Sequence, residues 1–174
     1  HSDANWAGCK RSRKSSSGGT IAVGSHLIKS YAKTQAVIAK SSGESELYGV
    51  IRASTEALGI STLLEDFGAT VIKVSVGMDA NAAIGIVQRR GLNKLRHVEL
   101  DVLWIQEQQA RRLLPLRKVP GLRNPSDMMT KNVDQAHIEL YWDLLNLRFG
   151  TGRADIAQNL HLLGEKRKQA ACES

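Results

Sequence analysis

The sequence predicts a mixed α/β domain, and three features carry that expectation. A first strand-like segment is followed by two short apolar runs around Gly24. One long stretch, 42 to 67, repeats its apolar residues at helical spacing, and beyond it strand and helix patterns alternate. With 174 residues, 42% of them hydrophobic and 24% charged, the chain is long enough for one core and is not of disordered composition.

Taken in order, "HSDANWAG" reads as a strand end that runs into a flexible, basic and serine-rich turn, "CKRSRKSSSGG", and "TIAVGSHLIKSYAK" then offers two short strands. The helix predicted from Ser42 to about Phe67 is stopped by Gly68. "TVIKVSVGMD" sets Ile72, Val74, Val76 and Met78 against Val71, Lys73, Ser75 and Gly77, the period of a strand. "ANAAIGIVQRR" reads as a short helix ended by Gly91, and "KLRHVELDVLWIQEQQARR" as a longer one with Leu95, Val98, Val102 and Ile105 on one stripe. "LLPLRKVPG" is a last strand. "NPSDMMTK" places Pro125 in the first turn of a helix, and "DQAHIELYWDLLNLRF" is an amphipathic helix that either packs on the sheet or forms a docking face for the rest of a longer chain. The expected organisation is a domain over 1–131, an amphipathic helix within 132–150 that packs on it or extends it, and a flexible basic tail over 151–174.

Charge narrows the partners. Twenty-four Lys and Arg against seventeen Asp and Glu leave +7 and a pI near 9.6, which favours polyanions such as nucleic acid or an acidic membrane surface. Two cysteines, Cys9 and Cys172, lie near opposite ends without metal-ligand spacing, which suggests neither a disulfide framework nor a zinc site and fits a reducing interior. No apolar run reaches the ~20 residues of a membrane span, and the first residues lack signal-peptide layout. A soluble intracellular protein is expected.

"SSGESELYGV" holds two glutamates two positions apart. On a wheel of about 100° per residue, Leu47, Val50, Ile51, Ser54, Ala57, Leu58, Ser61 and Leu64 share one side. Glu46 falls inside its margin, and Glu44 falls well outside. Ser41 and Glu44 have the spacing of a capping box, which is a sufficient role for Glu44. A carboxylate against the core costs several kcal/mol unless paired, so Glu46 is either a rim residue reaching water or a metal ligand. Its possible partners have ordinary readings of their own: Asp79 could cap the helix after it, Asp127 could answer a helix dipole, and Asp3 could lie on the surface.

The blocks around these acids resemble the ribonuclease H domain of copia-type LTR retrotransposons. "SDANWAG" is similar to that family's "SDADWAG", "RKSSSGG" to "RKSTSG", "SSGESELY" to "SSTEAEY", "MDANAAI" to "CDNQSAI", "LRHVEL" to "TKHIDI", and "PSDMMTK" to the end of "QLADILTK". The similarity is colinear over roughly residues 1 to 150.

It implies a ribonuclease H-like fold, with a mixed five-stranded sheet of three antiparallel leading strands followed by parallel ones, flanked by helices. It also implies Asp3, Glu46, Asp79 and Asp127 as catalytic, metal-binding carboxylates for two Mg2+ ions, with Mn2+ as a substitute. The implied activity is metal-dependent hydrolysis of the RNA strand of an RNA–DNA hybrid, leaving a 5′-phosphate, beside the polymerase portion of a larger polyprotein. All-oxygen donors suit magnesium, and four acids crowded without metal are expected to be poorly ordered or partly protonated.

Lys10, Arg11, Arg13, Lys14, Ser15, Arg96 and His97 are the candidate nucleic-acid contacts, joined by Arg89 with Arg90 and Arg111 with Arg112; each basic cluster could equally be a solvated face. His97 also has the spacing of a surface pair with Asp101. The family carries a histidine there, and its chemistry is unassigned. The loop "GLRNP" has no histidine, so a product-release role there is not expected.

Asn5 stands where the family often has an aspartate, and Gly43 and Ser45 depart from it around Glu46. His1 lies only two residues before Asp3, which suggests a piece of a polyprotein with Asp3 loosely held. The rival readings are a catalytically inactive nucleic-acid-binding or structural module of a retroelement polyprotein and, less well supported by the block order, an integrase-like nuclease.

Overall fold

The structure, a computed structural model, describes residues 1–70, 73–89, 91 and 99–148. Three strands lead: β1 (Ser2–Asn5), β2 (Ser16–Val23) and β3 (His26–Thr34), antiparallel in the order β1-β2-β3. β2 and β3 turn through Gly24 and Ser25, with Val23 opposite His26. Gly24 takes φ +59°, a left-handed conformation that glycine adopts without steric cost.

β2 begins inside the stretch read from sequence as a flexible turn. Serine and glycine favour turns in isolation, but here small residues are what the packing admits. A Cβ on Gly18 would lie 2.7 Å from the Met129 Cβ, and one on Gly19 would lie 2.4 Å from the Tyr31 ring. Strand pairing and close packing therefore override local propensity.

Helix α1 (Ser42–Asp66) starts where Ser41 Oγ accepts the Glu44 N–H at 3.2 Å and ends before Gly68, at φ +89°. Its buried face includes Leu47, Val50 and Ala53. These pack with β4 (Val76–Met78), α2 (Asn81–Gln88) and α3 (Glu99–Ala110) through Val76, Met78, Ala83, Val87, Val102 and Ile105. Each Leu, Val, Ile or Met among them contributes about 1.5–3 kcal/mol on burial, and each alanine less. Leu95 and Val98, assigned to the α3 stripe from sequence, lie outside the described residues. β5 (Leu116–Lys118) pairs parallel with β4.

Among the described residues, the five strands expected in one sheet form a three-stranded antiparallel sheet and a two-stranded parallel one. β1 and β4 do run side by side, since a Cβ on Gly77 would lie 2.9 Å from His1 Nδ1. β1 has four residues and β4 three, however. A groove of about 490 Å³ opens beyond His1, lined by Ile21, Val23, Ala57, Leu64 and Val74. Among the described residues, the alternation read over 70–79 shows as strand at Val76–Met78, where Val76 and Met78 are buried as its parity requires, and Val71 and Ile72 lie outside the described residues.

"NPSDMMTK" is also different in kind. Pro125–Met129 is a 3-10 turn, with the Asn124 side chain accepting from the Ser126 N–H, and α4 (Gln135–Leu144) follows, capped by Asp134. α4 packs against the 3-10 segments Gly121–Arg123 and Pro125–Met129. The predicted tail lies outside the described residues. No helix among those described is long and apolar enough to cross a membrane.

Candidate metal centre

Three elements bring acids together. β1 carries Asp3, whose ladder partner is Gly18 on β2, and α1 crosses so close above β1 that a Cβ on Gly49 would stand 3.3 Å from the Asp3 carbonyl oxygen. Gly49 thus lets the helix descend onto the strand, and Glu46, one turn earlier on a neighbouring face, is brought beside Asp3. β4 ends at Met78 and delivers Asp79. Gly121 faces Asp79, where a Cβ would lie 3.3 Å from Oδ2, and Lys118 Nζ bonds the Asp79 carbonyl. One carboxylate oxygen from each of Asp3, Glu46 and Asp79 lies within 4.8 Å of the other two.

Asp127 stands outside that trio and is joined to it through Lys131. The Lys131 ammonium lies 2.9 Å from Asp3 Oδ1 and 3.2 Å from Asp127 Oδ1, the second contact being an ion pair without hydrogen-bond alignment. Thr130 Oγ1 donates to the other Asp3 oxygen. Asp3 is fully buried, so the loosely held strand end suggested by the sequence gives way to a carboxylate gripped on both oxygens.

Electrostatics mark Glu46. Burial, followed by the charges of Asp3 and Asp79, raises its pKa from 4.5 to about 8, against a smaller opposing pull from Lys131. Its Oε2 is buried without a hydrogen-bond partner, a costly state unless something pairs with it. Asp127 is raised from 3.8 to about 6, by burial first and then by Asp3. Lys131 is pushed above its ordinary value: burial works the other way and is outweighed by its contacts with Asp3 and Asp127. Burial and the neighbouring acids thus push Glu46 toward its protonated form. An all-oxygen donor set with one buried, unpartnered oxygen fits a hard divalent cation.

Glu44 corrects the helical wheel. It is 2% exposed and more buried than Glu46, because its side chain folds back over the helix start and Oε2 accepts the Lys40 N–H at 3.1 Å. The wheel places a residue around an axis and ignores the chain that precedes the helix. Glu44 is a capping residue, as its spacing indicated, though it reaches the N–H one residue before the expected one.

Of the candidate nucleic-acid contacts, Lys10, Arg11 and Arg13 are exposed on the β1–β2 turn and Lys14 is half-buried. Ser15 is buried, with its Oγ accepting the Ala7 N–H at 3.0 Å, so it ties that turn together and does not face solvent. Arg111 pairs with Glu107 at 2.7 Å, and Arg89 bonds the Gly85 carbonyl. Arg90, Arg96 and His97 lie outside the described residues.

Sequence reasoning missed the residues that hold the acids in place. Asn5 is more than a missing charge: its Nδ2 donates to the Thr130 carbonyl at 3.2 Å, which a carboxylate could not do. Asn124 Nδ2 donates to the Ser2 carbonyl at 2.9 Å and pins the same segment to β1. Lys131 was visible only as the end of the "PSDMMTK" block, four residues after Asp127.

The fold and the centre therefore define a mixed α/β protein with a three-carboxylate cluster suited to a hard cation. In sequence, the chain is similar to retrovirus-related Pol polyproteins of plant transposons. It is 26% identical over 148 residues to that of transposon TNT 1-94 from Nicotiana tabacum, covering 84% of this chain and 11% of the relative. It is 27% identical over 133 residues to that of transposon RE1 from Arabidopsis thaliana, covering 75% and 9%. The chain thus spans about a tenth of the length of these relatives. No family model matches it, and no solved structure does.

Proposed function

We propose that this chain is a metal-dependent endoribonuclease that hydrolyses the RNA strand of RNA–DNA hybrids as part of a retroelement polyprotein. The observation that carries the reading is the meeting of Asp3, Glu46 and Asp79, from β1, α1 and the end of β4, together with a buried and unpartnered Glu46 oxygen. The similarity to Pol polyproteins supports it from outside the site.

Asp3, Glu46 and Asp79 would hold Mg2+ ions, with Asp127 reaching in from the 3-10 turn. When bound at such a centre, a pair of divalent cations lowers the pKa of a water and offsets charge on the leaving oxygen. The chain's own part is to fix the carboxylates: Thr130 orients Asp3, and Gly49 and Gly121 let α1 and the 121–123 turn approach. At neutral pH Glu46 keeps a proton, so cation binding is coupled to its release. The exposed Lys10, Arg11 and Arg13 would meet hybrid phosphates, while the 2′-hydroxyls would distinguish the RNA strand across the shallow groove.

The test is cleavage of an end-labelled RNA–DNA hybrid with and without magnesium, comparing the wild type with Asp79→Asn. Magnesium-dependent cleavage is expected from the wild type. The variant should lose at least about a thousandfold in rate, ~4 kcal/mol of barrier, while hybrid binding is retained. Equal cleavage by both would reject the assignment. Binding without cleavage by either would leave the inactive nucleic-acid-binding module, which the exposed basic turn also supports.

A further inference from the structure

We propose that Lys131 is the internal counter-cation of the carboxylate centre: it neutralises the Asp3 and Asp127 side of the site in the metal-free protein and yields that position when a divalent cation binds. This rests on the metal-binding reading above and assigns the lysine a function beyond it.

The geometry separates the four acids into two sets that share Asp3. Glu46 and Asp79 gather with Asp3, whereas Asp127 and Asp3 are bridged by the one ammonium. Both Asp3 oxygens are already accepting, from Thr130 and from Lys131. A cation seated against Asp3 and Asp127 would have to take the place of Nζ, since a positive charge within a few ångströms of a divalent ion opposes its binding.

The lysine is able to move. Its side chain is 42% exposed while that of Asp3 is wholly buried, so its stem can swing toward solvent without opening the core. The turn that carries it stays anchored without the ammonium, through Asn5 to the Thr130 carbonyl, Asn124 to the Ser2 carbonyl, and Thr20 Oγ1 in hydrogen-bond contact with Ser126 Oγ. A lysine that served only to dock this turn would duplicate those bonds. A lysine that balances charge has a role none of them can fill.

Manganese binding decides the matter, measured by the paramagnetic signal of free Mn2+ at fixed pH for wild type, Lys131→Met, Lys131→Gln and Lys131→Arg. Both neutral variants should bind Mn2+ more tightly, on the order of tenfold to a hundredfold, and Lys131→Arg should stay within about threefold of wild type because the charge is kept. In chelator the neutral variants should melt at lower temperature than wild type, and added Mn2+ should raise their melting temperature by more. Unchanged or weaker Mn2+ binding in both neutral variants, with the wild type binding, overturns the role of Lys131 and leaves the metal centre standing. Absence of Mn2+ binding in all four proteins overturns both.

Discussion

Glu46→Gln is expected to lower magnesium-dependent hybrid cleavage by about three orders of magnitude or more and, in chelator, to make the protein more stable at pH 8. The two effects have one cause. Glu46 is raised to about 8 by burial and by Asp3 and Asp79, so the folded metal-free protein holds a proton that the unfolded chain gives up near pH 4.5. Wherever the folded state binds more protons, stability falls as pH rises. Wild-type stability in chelator should therefore fall between about pH 5 and pH 8, by on the order of a few kcal/mol. Asp127, raised to about 6, adds a contribution of the same sign in the lower part of that window. Glutamine fills the same space without a charge to bury, and it removes the Glu46 share. Urea unfolding of wild type and Glu46→Gln at pH 5 and pH 8 checks this. A wild-type stability that is flat or rising across the interval contradicts the burial of Glu46 among acids.

Gly18→Ala is the second large effect, and it acts at a residue that carries no chemistry. Gly18 sits opposite Asp3 in the β1–β2 ladder, so a side chain there points to the same face as the Asp3 carboxylate. A Cβ would stand 2.7 Å from both Met129 Cβ and Thr130 Cγ2, and 3.1 Å from the Ser126 carbonyl oxygen. Little of this can be relieved by rotating a side chain, because a backbone oxygen and a Cβ are among the obstacles. The 3-10 turn must back away, taking Thr130 and Lys131 off Asp3 and Asp127 away from the centre. A cost of about 1–3 kcal/mol is expected, with a loss of cleavage larger than the stability change explains. Thr130→Ser removes the Cγ2 and keeps the hydroxyl, so the double variant Gly18→Ala with Thr130→Ser should recover part of the stability in a double-mutant cycle. Strict additivity of the two substitutions would place the Gly18 obstacle elsewhere.

What could be read from sequence, and what could not, follows from how far each feature depends on the rest of the chain. The α1 span, its Ser41 cap and the Gly24 turn are local matters of periodicity and backbone freedom, and the structure has them where the pattern indicated. Glu46 was legible because a carboxylate on the margin of an apolar face asks for a partner. Glu44 was misread as exposed because the segment before the helix covers it. The start of β2 was hidden because serines and glycines that pack against Met129 and Tyr31 look like linker in isolation. The contacts of Lys131 with Asp3, of Asn5 with Thr130 and of Gly18 with the 126–130 turn join residues more than a hundred positions apart, and no local pattern announces such contacts. The division into two sheets is likewise a matter of how β1 and β4 meet, which strand periodicity does not encode.

Whether acids distant in sequence form one cation site is read from diffraction by crystals grown with Mn2+, recorded at the manganese absorption edge. An anomalous peak within about 2–2.5 Å of carboxylate oxygens of Asp3, Glu46 and Asp79, with the Lys131 ammonium displaced from Asp3, is the predicted result. Manganese absent from those oxygens at millimolar concentration, or Glu46 turned away from Asp3 and Asp79 into apolar surroundings, would contradict it.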